Sequence, residues 1–428
     1  IPTNSKVLRP SAHAFRKAGW LAADQATYNK YIDYLLSGIK KRRDAQDSLL
    51  PAVQEFKNFI ETDPVVFTDF IRMFDGSTGR PENYNELIHM LNGIFREAPP
   101  FGSLGPPVYM IMAQTMDTQG GFSAYTKEIL NFHFKKMFET WSLYLSSKDS
   151  RYVLNPDTGG WFSTAAKTAM MEEYDGATFE EVFLCDPSAP YHGFTSYEDF
   201  FNRRFRNPQV NRPTGPIDDL RLISAACEST SYAYQTNVQR SDQLFIKDEA
   251  YSLVHLLAND PYTDEFVGGS ILQGFLNTTG YHRWHSPVNG HIKKIVNVPG
   301  TYFAQAPSTL DTPIPPPESD DPPPYLQSLR FFANTATRQL MFIEADNSKL
   351  GLVCFIAIGM TEISTCQATV YEGQHVVRGD ELGMFHFGGS SSALVFRASA
   401  NVKVDKTVAT PGAVLRINQP IAAVELPV

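Results

Sequence analysis

A change of hydrophobic period near residue 222 limits this chain to folds that join a helical region to a β-rich one. Before it, apolar side chains recur at three- and four-residue spacing: Tyr28, Tyr31, Ile32, Leu35, Leu36 and Ile39, then Phe67, Phe70, Ile71 and Phe74, then Leu87, Ile88, Leu91, Ile94 and Phe95. That spacing lines one face of a helix, and the same period returns in the long segment 123–145. Turns rich in Pro and Gly at 98–102 and 105–107 separate these helices. Beyond residue 222 the apolar residues come as short runs bounded by turn residues, at 292–298, 339–344, 351–358, 368–371 and 393–396, which read as strands. The reading is α+β: an N-terminal helical domain over 1–180 and a β-rich domain over 181–428, with 178–216 as the connector. Residues 306–325 hold Pro307, Pro313, Pro315 to Pro317 and Pro322 to Pro324, so they read as an extended loop, either a lid or a passive surface segment.

With 428 residues, 43% hydrophobic and 19% charged, the chain can bury one large core or two moderate ones. A net charge of −9 argues against a nucleic-acid surface. The longest basic run, Lys40-Lys41-Arg42-Arg43, suits the last turn of a helix or a solvated face. Cys185, Cys227, Cys354 and Cys366 form no Cys-x-x-Cys pair, which indicates neither a zinc knuckle nor a disulfide framework and points to a reducing compartment, the cytoplasm. Residues 1–20 lack the apolar stretch of a secretory signal, and no run is apolar for the length of a membrane span, so no anchor is expected. Asp260, Asp264 and Glu265, and Glu318, Asp320 and Asp321, offer oxygen ligands for calcium, although loop carboxylates of this kind are ordinarily solvated charge.

Near the C-terminus stands Phe385-His386-Phe387-Gly388-Gly389-Ser390-Ser391-Ser392. A Gly-Ser bond in a tight turn lets the serine hydroxyl approach its own preceding carbonyl, because glycine tolerates backbone angles that a side chain forbids. Attack by Ser390 on the Gly389 carbonyl exchanges the amide for an ester, and elimination leaves a pyruvoyl group at the new N-terminus. A plain loop between strands over 381–387 and 393–396 fits the same letters. A nucleophile elbow does not, since Gly-x-Ser-x-Gly needs glycine where Ser392 stands and a helix after it. A second block, Tyr281-His282-Arg283-Trp284-His285-Ser286-Pro287-Val288-Asn289-Gly290, sets two histidines close together, a residue type suited to moving protons near neutral pH. Either histidine alone reads as well as a core residue bonded to a backbone carbonyl. As a metal pair they lack a third ligand at recognisable spacing. Trp284 between them either stacks on a substrate ring or packs in the core.

Together the two blocks resemble the phosphatidylserine decarboxylase family of pyruvoyl enzymes, whose signature pairs Tyr-His-Arg-x-His-x-Pro-x-x-Gly with a C-terminal Gly-Ser-Thr or Gly-Gly-Ser-Ser/Thr site. Phe200-Phe201-Asn202-Arg203-Arg204-Phe205, ending in Arg212-Pro213, and Arg378-Gly379-Asp380-Glu381-Leu382-Gly383-Met384-Phe385 agree with it, so the matches span about half of the chain. Residues 1–180 are not typical of phospholipid enzymes. They and the blocks at 224–229 and 359–366 are similar instead to the fungal aromatic L-amino-acid (tryptophan) decarboxylases that branch from that family. The resemblance implies self-cleavage between Gly389 and Ser390, and a pyruvoyl cofactor made from Ser390 in place of pyridoxal phosphate. The implied reaction is decarboxylation of L-tryptophan, or a related aromatic amino acid, to tryptamine and carbon dioxide. His285 corresponds to the base that activates the serine and His282 to the histidine of the decarboxylation stage. The resemblance also implies that the large chain and the 39-residue small chain stay associated. Residues 285–292 and 376–383 resemble the two halves of a barrel-sandwich hybrid.

Two departures stand out. The phospholipid enzymes carry an Asp that orients the cleavage histidine; Cys227 stands at that place here, and Glu228 meets the physical requirement by a one-residue shift. Gly388 and Ser391 replace the Leu and Thr of the usual Leu-Gly-Ser-Thr, while the scissile pair is kept. Thr361, Glu362 and Ser364 either line the pocket or satisfy a strand edge. Arg203 and Arg204 either bind an anion or, the more ordinary use, make salt bridges to the helical region. Two other functions stay open: a phosphatidylserine decarboxylase acting on phospholipid, and a non-catalytic lipoyl-like module, which would need a lysine in the turn occupied by Val288-Asn289-Gly290.

Overall fold

A computed structural model describes residues 9–426, apart from 78, 103–104, 243–249, 313–314, 316–318, 363–364 and 388–389. Its first part is helical, as the spacing predicts: α1 (Ala12–Lys17), α2 (Gln25–Asp44), α3 (Pro51–Thr62), α4 (Pro64–Arg72), α5 (Tyr84–Ile94), α6 (Pro107–Met116), α7 (Gln119–Tyr125), α8 (Glu128–Leu145), α9 (Thr164–Met171), α10 (Phe179–Val182) and α11 (Tyr197–Phe201). The stripe on α2 buries Ile32, Leu35 and Ile39. Asp24 caps its start by accepting the Thr27 N–H, and Lys41, Arg42 and Arg43 sit in its last turn, at the negative end of the helix dipole. The helical segment 123–145 is divided between α7 and α8, because side chains close the end of α7: the Asn131 amide donates to the Tyr125 carbonyl at 2.8 Å and the Lys127 ammonium to the Ser123 carbonyl at 2.7 Å.

The strands that follow are β1 (Leu222–Ser224), β2 (Ser229–Thr236), β3 (Ser270–Phe275), β4 (Arg283–His285), β5 (Gly290–Val298), β6 (Arg338–Ala345), β7 (Leu352–Gly359), β8 (Cys366–Ala368), β9 (His375–Val376), β10 (Glu381–Phe385), β11 (Ser390–Phe396), β12 (Lys403–Val404), β13 (Val414–Leu415) and β14 (Pro420–Ala423). The principal sheet is antiparallel, with eight strands in the order β13-β2-β3-β11-β7-β6-β5-β9. Two three-stranded sheets, β4-β10-β8 and β1-β14-β12, accompany it. Gly290 pairs with Val376 and His291 with His375, which joins the two half-motifs as a barrel-sandwich hybrid requires. β11 lies in the middle of the principal sheet. It starts at Ser390, earlier than the apolar pattern predicts, because Ser390, Ser391 and Ser392 pair with Gly359, Ile358 and Ala357 of β7 while Ser391 and Ser392 also pair with β3. Hydroxyl side chains hide that pairing from a reading of hydrophobicity alone.

Alternation along the central strands feeds two cores. In β7, Cys354, Ile356 and Ile358 join the helices, whereas Val353, Phe355 and Ala357 join the small sheets. In β11, Ala393 and Val395 face the helices, while Leu394 and Phe396 face the small sheets. Phe15 of α1 stacks on Phe275 of β3 with ring centroids 4.5 Å apart. Trp284 packs in the second core, 5.5 Å from Phe355 and 5.2 Å from Phe385, which settles its use as core. Each large apolar side chain so buried stabilises the fold by roughly 1.5–3 kcal/mol.

Candidate active site

Ser390 opens β11, and its carbonyl accepts the Leu276 N–H at 2.7 Å. The period of two along the strand sets it on the same side as Ser392, Leu394 and Phe396, the side covered by the small sheets that carry the histidine block. Its hydroxyl is fully buried and has no hydrogen-bond partner among the described residues. Gly388 and Gly389 lie outside the described residues.

Helix α11 clamps the chain just before them. Glu198 accepts the Phe387 N–H at 3.3 Å and bonds His386 Nδ1 at 2.7 Å, and His386 Nε2 lies 2.7 Å from Gln367 Oε1. The Phe387 ring sits among Trp141, Tyr197 and Phe201 at centroid distances of 5.0, 5.2 and 5.5 Å. Motif reading singled out neither Glu198 nor this ring cage. The available signal was their position beside the Phe-Phe-Asn-Arg-Arg block.

The histidine block lies against the same segment. β4 pairs with β10, Glu381 opposite His285 and Met384 opposite Arg283, so motifs about a hundred residues apart become neighbouring strands. His285 is buried and engaged at both ring nitrogens. Gly379 has φ +95°, in the left-handed region that favours glycine, and turns its carbonyl to His285 Nδ1 at 2.6 Å. Nδ1 must therefore carry the proton and donate it, which leaves Nε2 to accept the Tyr281 hydroxyl at 2.8 Å. Burial lowers the proton affinity of this imidazole, with the Gly379 carbonyl opposing.

His282 stacks on Phe201 at 3.9 Å. Its ring nitrogens lie near the carbonyls of Asn277 and Gly280 but make no hydrogen bond of normal geometry. Burial first, then the Arg203 charge, push its pKa well below the ordinary value, so the ring is neutral. Arg203 corrects the salt-bridge expectation. It is buried, donates to the Thr279 and Gly280 carbonyls at 2.7 and 2.8 Å, and lies 4.5 Å over the Phe183 ring. Arg204 is exposed, 4.0 Å from Glu381.

The structure does not bring Glu228 to His285. Its carboxylate pairs with Arg212 Nε and with Nη2 at 3.3 Å, and accepts the Ile417 N–H at 3.2 Å. The tautomer-setting contact belongs to Gly379 instead. Cys227, at the place of the family's Asp, lies against the Ser392 hydroxyl, and burial pushes its thiol up to about 12, so it stays neutral. Glu362 has a structural partner: its carboxylate accepts the Val108 and Tyr109 N–H groups at 2.8 and 3.0 Å, at the start of α6. Ser364 and Glu318 lie outside the described residues. Of the carboxylates weighed for calcium, Asp260 pairs with Lys294, Asp264 with Arg240 and Glu265 with Arg397.

Two cavities bear on substrate access. One of about 310 Å³ is bordered by Pro315, Pro323 and Pro324 of the proline-rich segment, with Tyr109, Tyr325 and Asp117, but Ser390, His282 and His285 do not line it. A smaller one, about 160 Å³, touches the motif through Gly280, Tyr281 and Glu228, with Asn277, Tyr174 and Lys17 around it. Ser390, His282 and His285 do not line the smaller one either.

A buried serine heading a central strand, with the Tyr-His-Arg-x-His block on a small sheet beside it, belongs with a class of decarboxylase. The chain belongs to the phosphatidylserine decarboxylase family: the family model of that description matches residues 197–423, and a second model described as phosphatidylserine decarboxylase matches residues 50–170. The second match extends the family likeness into the helical region, the part of the chain whose sequence is similar to the fungal aromatic-amino-acid branch. The chain is 60% identical over 427 residues to an L-tryptophan decarboxylase of Psilocybe cyanescens, covering 98% of this chain and 97% of that one. It is 56% identical over 433 residues to an L-tryptophan decarboxylase of Psilocybe cubensis, covering 99% and 98%. Decarboxylase iboD of Amanita muscaria is 40% identical over 334 residues, covering 76% and 92%.

Proposed function

We propose that this chain cleaves itself between Gly389 and Ser390, carries the resulting pyruvoyl group at residue 390, and decarboxylates L-tryptophan to tryptamine and carbon dioxide. The observation that carries this reading is the Ser390 hydroxyl at the head of β11, buried and without a hydrogen-bond partner among the described residues, on the side of the sheet that the histidine block's own small sheet covers. The substrate is argued from the near-full-length identity to two L-tryptophan decarboxylases. The residues fit the cofactor: a pyruvoyl group needs a serine after the bond to be cleaved and a dry setting, and Ser390 follows Gly389 in the sequence and is buried. When formed, that group supplies a carbonyl that condenses with the substrate amine and accepts the electron pair released as carbon dioxide leaves.

The chain's own residues would then do the following. His285, with Nδ1–H fixed by Gly379, offers Nε2 as the base toward Ser390 once the Tyr281 hydroxyl yields it. His282, neutral before substrate binds, would take a proton from water as the substrate carboxylate raises its proton affinity, and would give that proton to carbon after decarboxylation. Phe201, with Phe387 packed against it, shields one face of the His282 ring from water. No step calls on pyridoxal phosphate or calcium. The placement of the protein is proposed as cytoplasmic, in keeping with four free cysteines. Among the described residues no helix is long and apolar enough to cross a membrane.

The test is a denatured intact mass after incubation with L-tryptophan and cyanoborohydride, with phosphatidylserine vesicles in parallel. The expected result is a 39-residue chain from Ser390 to Val428 bearing a reduced amine adduct from tryptophan only. An uncleaved chain without adduct refutes the mechanism, and an adduct from the phospholipid alone refutes the substrate.

A further inference from the structure

On the far edge of the principal sheet, His291, Asp346 and His375 form a cluster that the decarboxylation does not use. Their ligand atoms all lie within 4.8 Å of one another. His375 Nε2 is 2.9 Å from Asp346 Oδ2, and the two imidazole centroids are 4.7 Å apart with planes at 65°. Backbone pairing builds the group. His291 and His375 face each other across β5 and β9, the position where cross-strand side chains meet. Asp346 follows β6 and is fixed by its N–H donating to the Asn289 carbonyl at 2.8 Å. Gly290 makes this approach possible, because a Cβ there would meet the Glu344 carbonyl oxygen at 2.3 Å.

We propose that His291, His375 and Asp346 bind one divalent transition-metal cation of the zinc type, with water completing the coordination. Two imidazoles and one carboxylate are a borderline N,O donor set, which suits zinc, copper or nickel and disfavours calcium, which takes six or more oxygens. With bonds of about 2.0–2.1 Å, tetrahedral ligand atoms stand about 3.3 Å apart, and these three exposed side chains reach that by small rotations. The site is coupled to the histidine block. Asn289, which holds Asp346, also accepts the Arg378 N–H on its side-chain oxygen at 2.8 Å, and the next residue, Gly379, presents its carbonyl to His285. A bound cation therefore staples the corner from which the His285 tautomer is set.

Tag-free full-length protein, stripped with chelator, is titrated with zinc sulfate by calorimetry. One saturable site per chain is expected, together with a rise in melting temperature. His291→Ala and His375→Ala should each weaken binding by more than the 10–100-fold typical of losing a hydrogen-bond partner behind a ligand, and should abolish the melting shift. His255→Ala, which removes an exposed imidazole elsewhere, should leave both unchanged. No saturable site in the wild type, or undiminished binding in both cluster variants, overturns the proposal.

Discussion

His285 shows how a side chain is prepared by its neighbours rather than by its own chemistry. Gly379 fixes the tautomer and Tyr281 occupies the remaining lone pair, both within 2.8 Å. Tyr281→Phe leaves a buried nitrogen unpaired, and the expected cost is about 1–3 kcal/mol, read as a lower midpoint in denaturant. It should still yield the small chain, because Gly379 keeps Nε2 basic. His285→Ala should yield none on a denaturing gel, and cleavage at the wild-type rate in that variant would remove His285 from the base role. The two histidines were legible as a motif. The part played by Tyr281 was not, although it stands in the same block, because the contact depends on how an irregular turn folds back. Glu228 was misread for a related reason: one-residue proximity in sequence says nothing of Arg212, which takes the carboxylate.

At the scale of elements, α6 starts without a capping side chain of its own, since Pro106 precedes it, and Glu362 arrives from 254 residues away to accept its first free N–H groups. Burial raises that carboxyl from an ordinary 4.5 to about 7, against the pull of the N–H donors. The folded protein thus keeps a proton up to about pH 7 that the unfolded chain gives up near 4.5. Folding takes up a proton in that window, so this contribution is complete below pH 4.5 and is lost as pH rises through 7. Glu362→Gln should flatten this part of the stability profile between pH 4.5 and 7, measured by urea midpoints. An unchanged slope would mean that Glu362 does not titrate there. Pattern predicted the strand that precedes Glu362 but no helix at Pro107–Met116, and a cap supplied by a distant turn leaves no trace in local spacing.

Over the whole molecule, the helical region and the principal sheet share one hydrophobic cluster that runs from Phe15 through Phe134 to Ile358 and Val395. The Trp20 indole N–H donates to the Leu276 carbonyl at 2.9 Å, and Glu362 ties the turn after β7 to α6. After cleavage, the small chain would remain as the middle strand between β3 and β7. The two chains should therefore co-elute without denaturant and melt in one calorimetric transition. A separate early transition, or release of the small chain on gel filtration, would show that the shared core does not couple them.

Hydrophobic period was enough to divide helices from strands here, because burial on one face leaves its spacing in the letters themselves. Gly389-Ser390 and the Tyr-His-Arg-x-His block were likewise visible, because reactive chemistry tolerates few residue types. What folding alone decided was who meets whom: β4 beside β10, Gly379 on His285, Arg212 on Glu228, and His291 across from His375. Those pairings are set by strand register and by which buried charge finds a partner, interactions between segments whose separation along the chain carries no local signal.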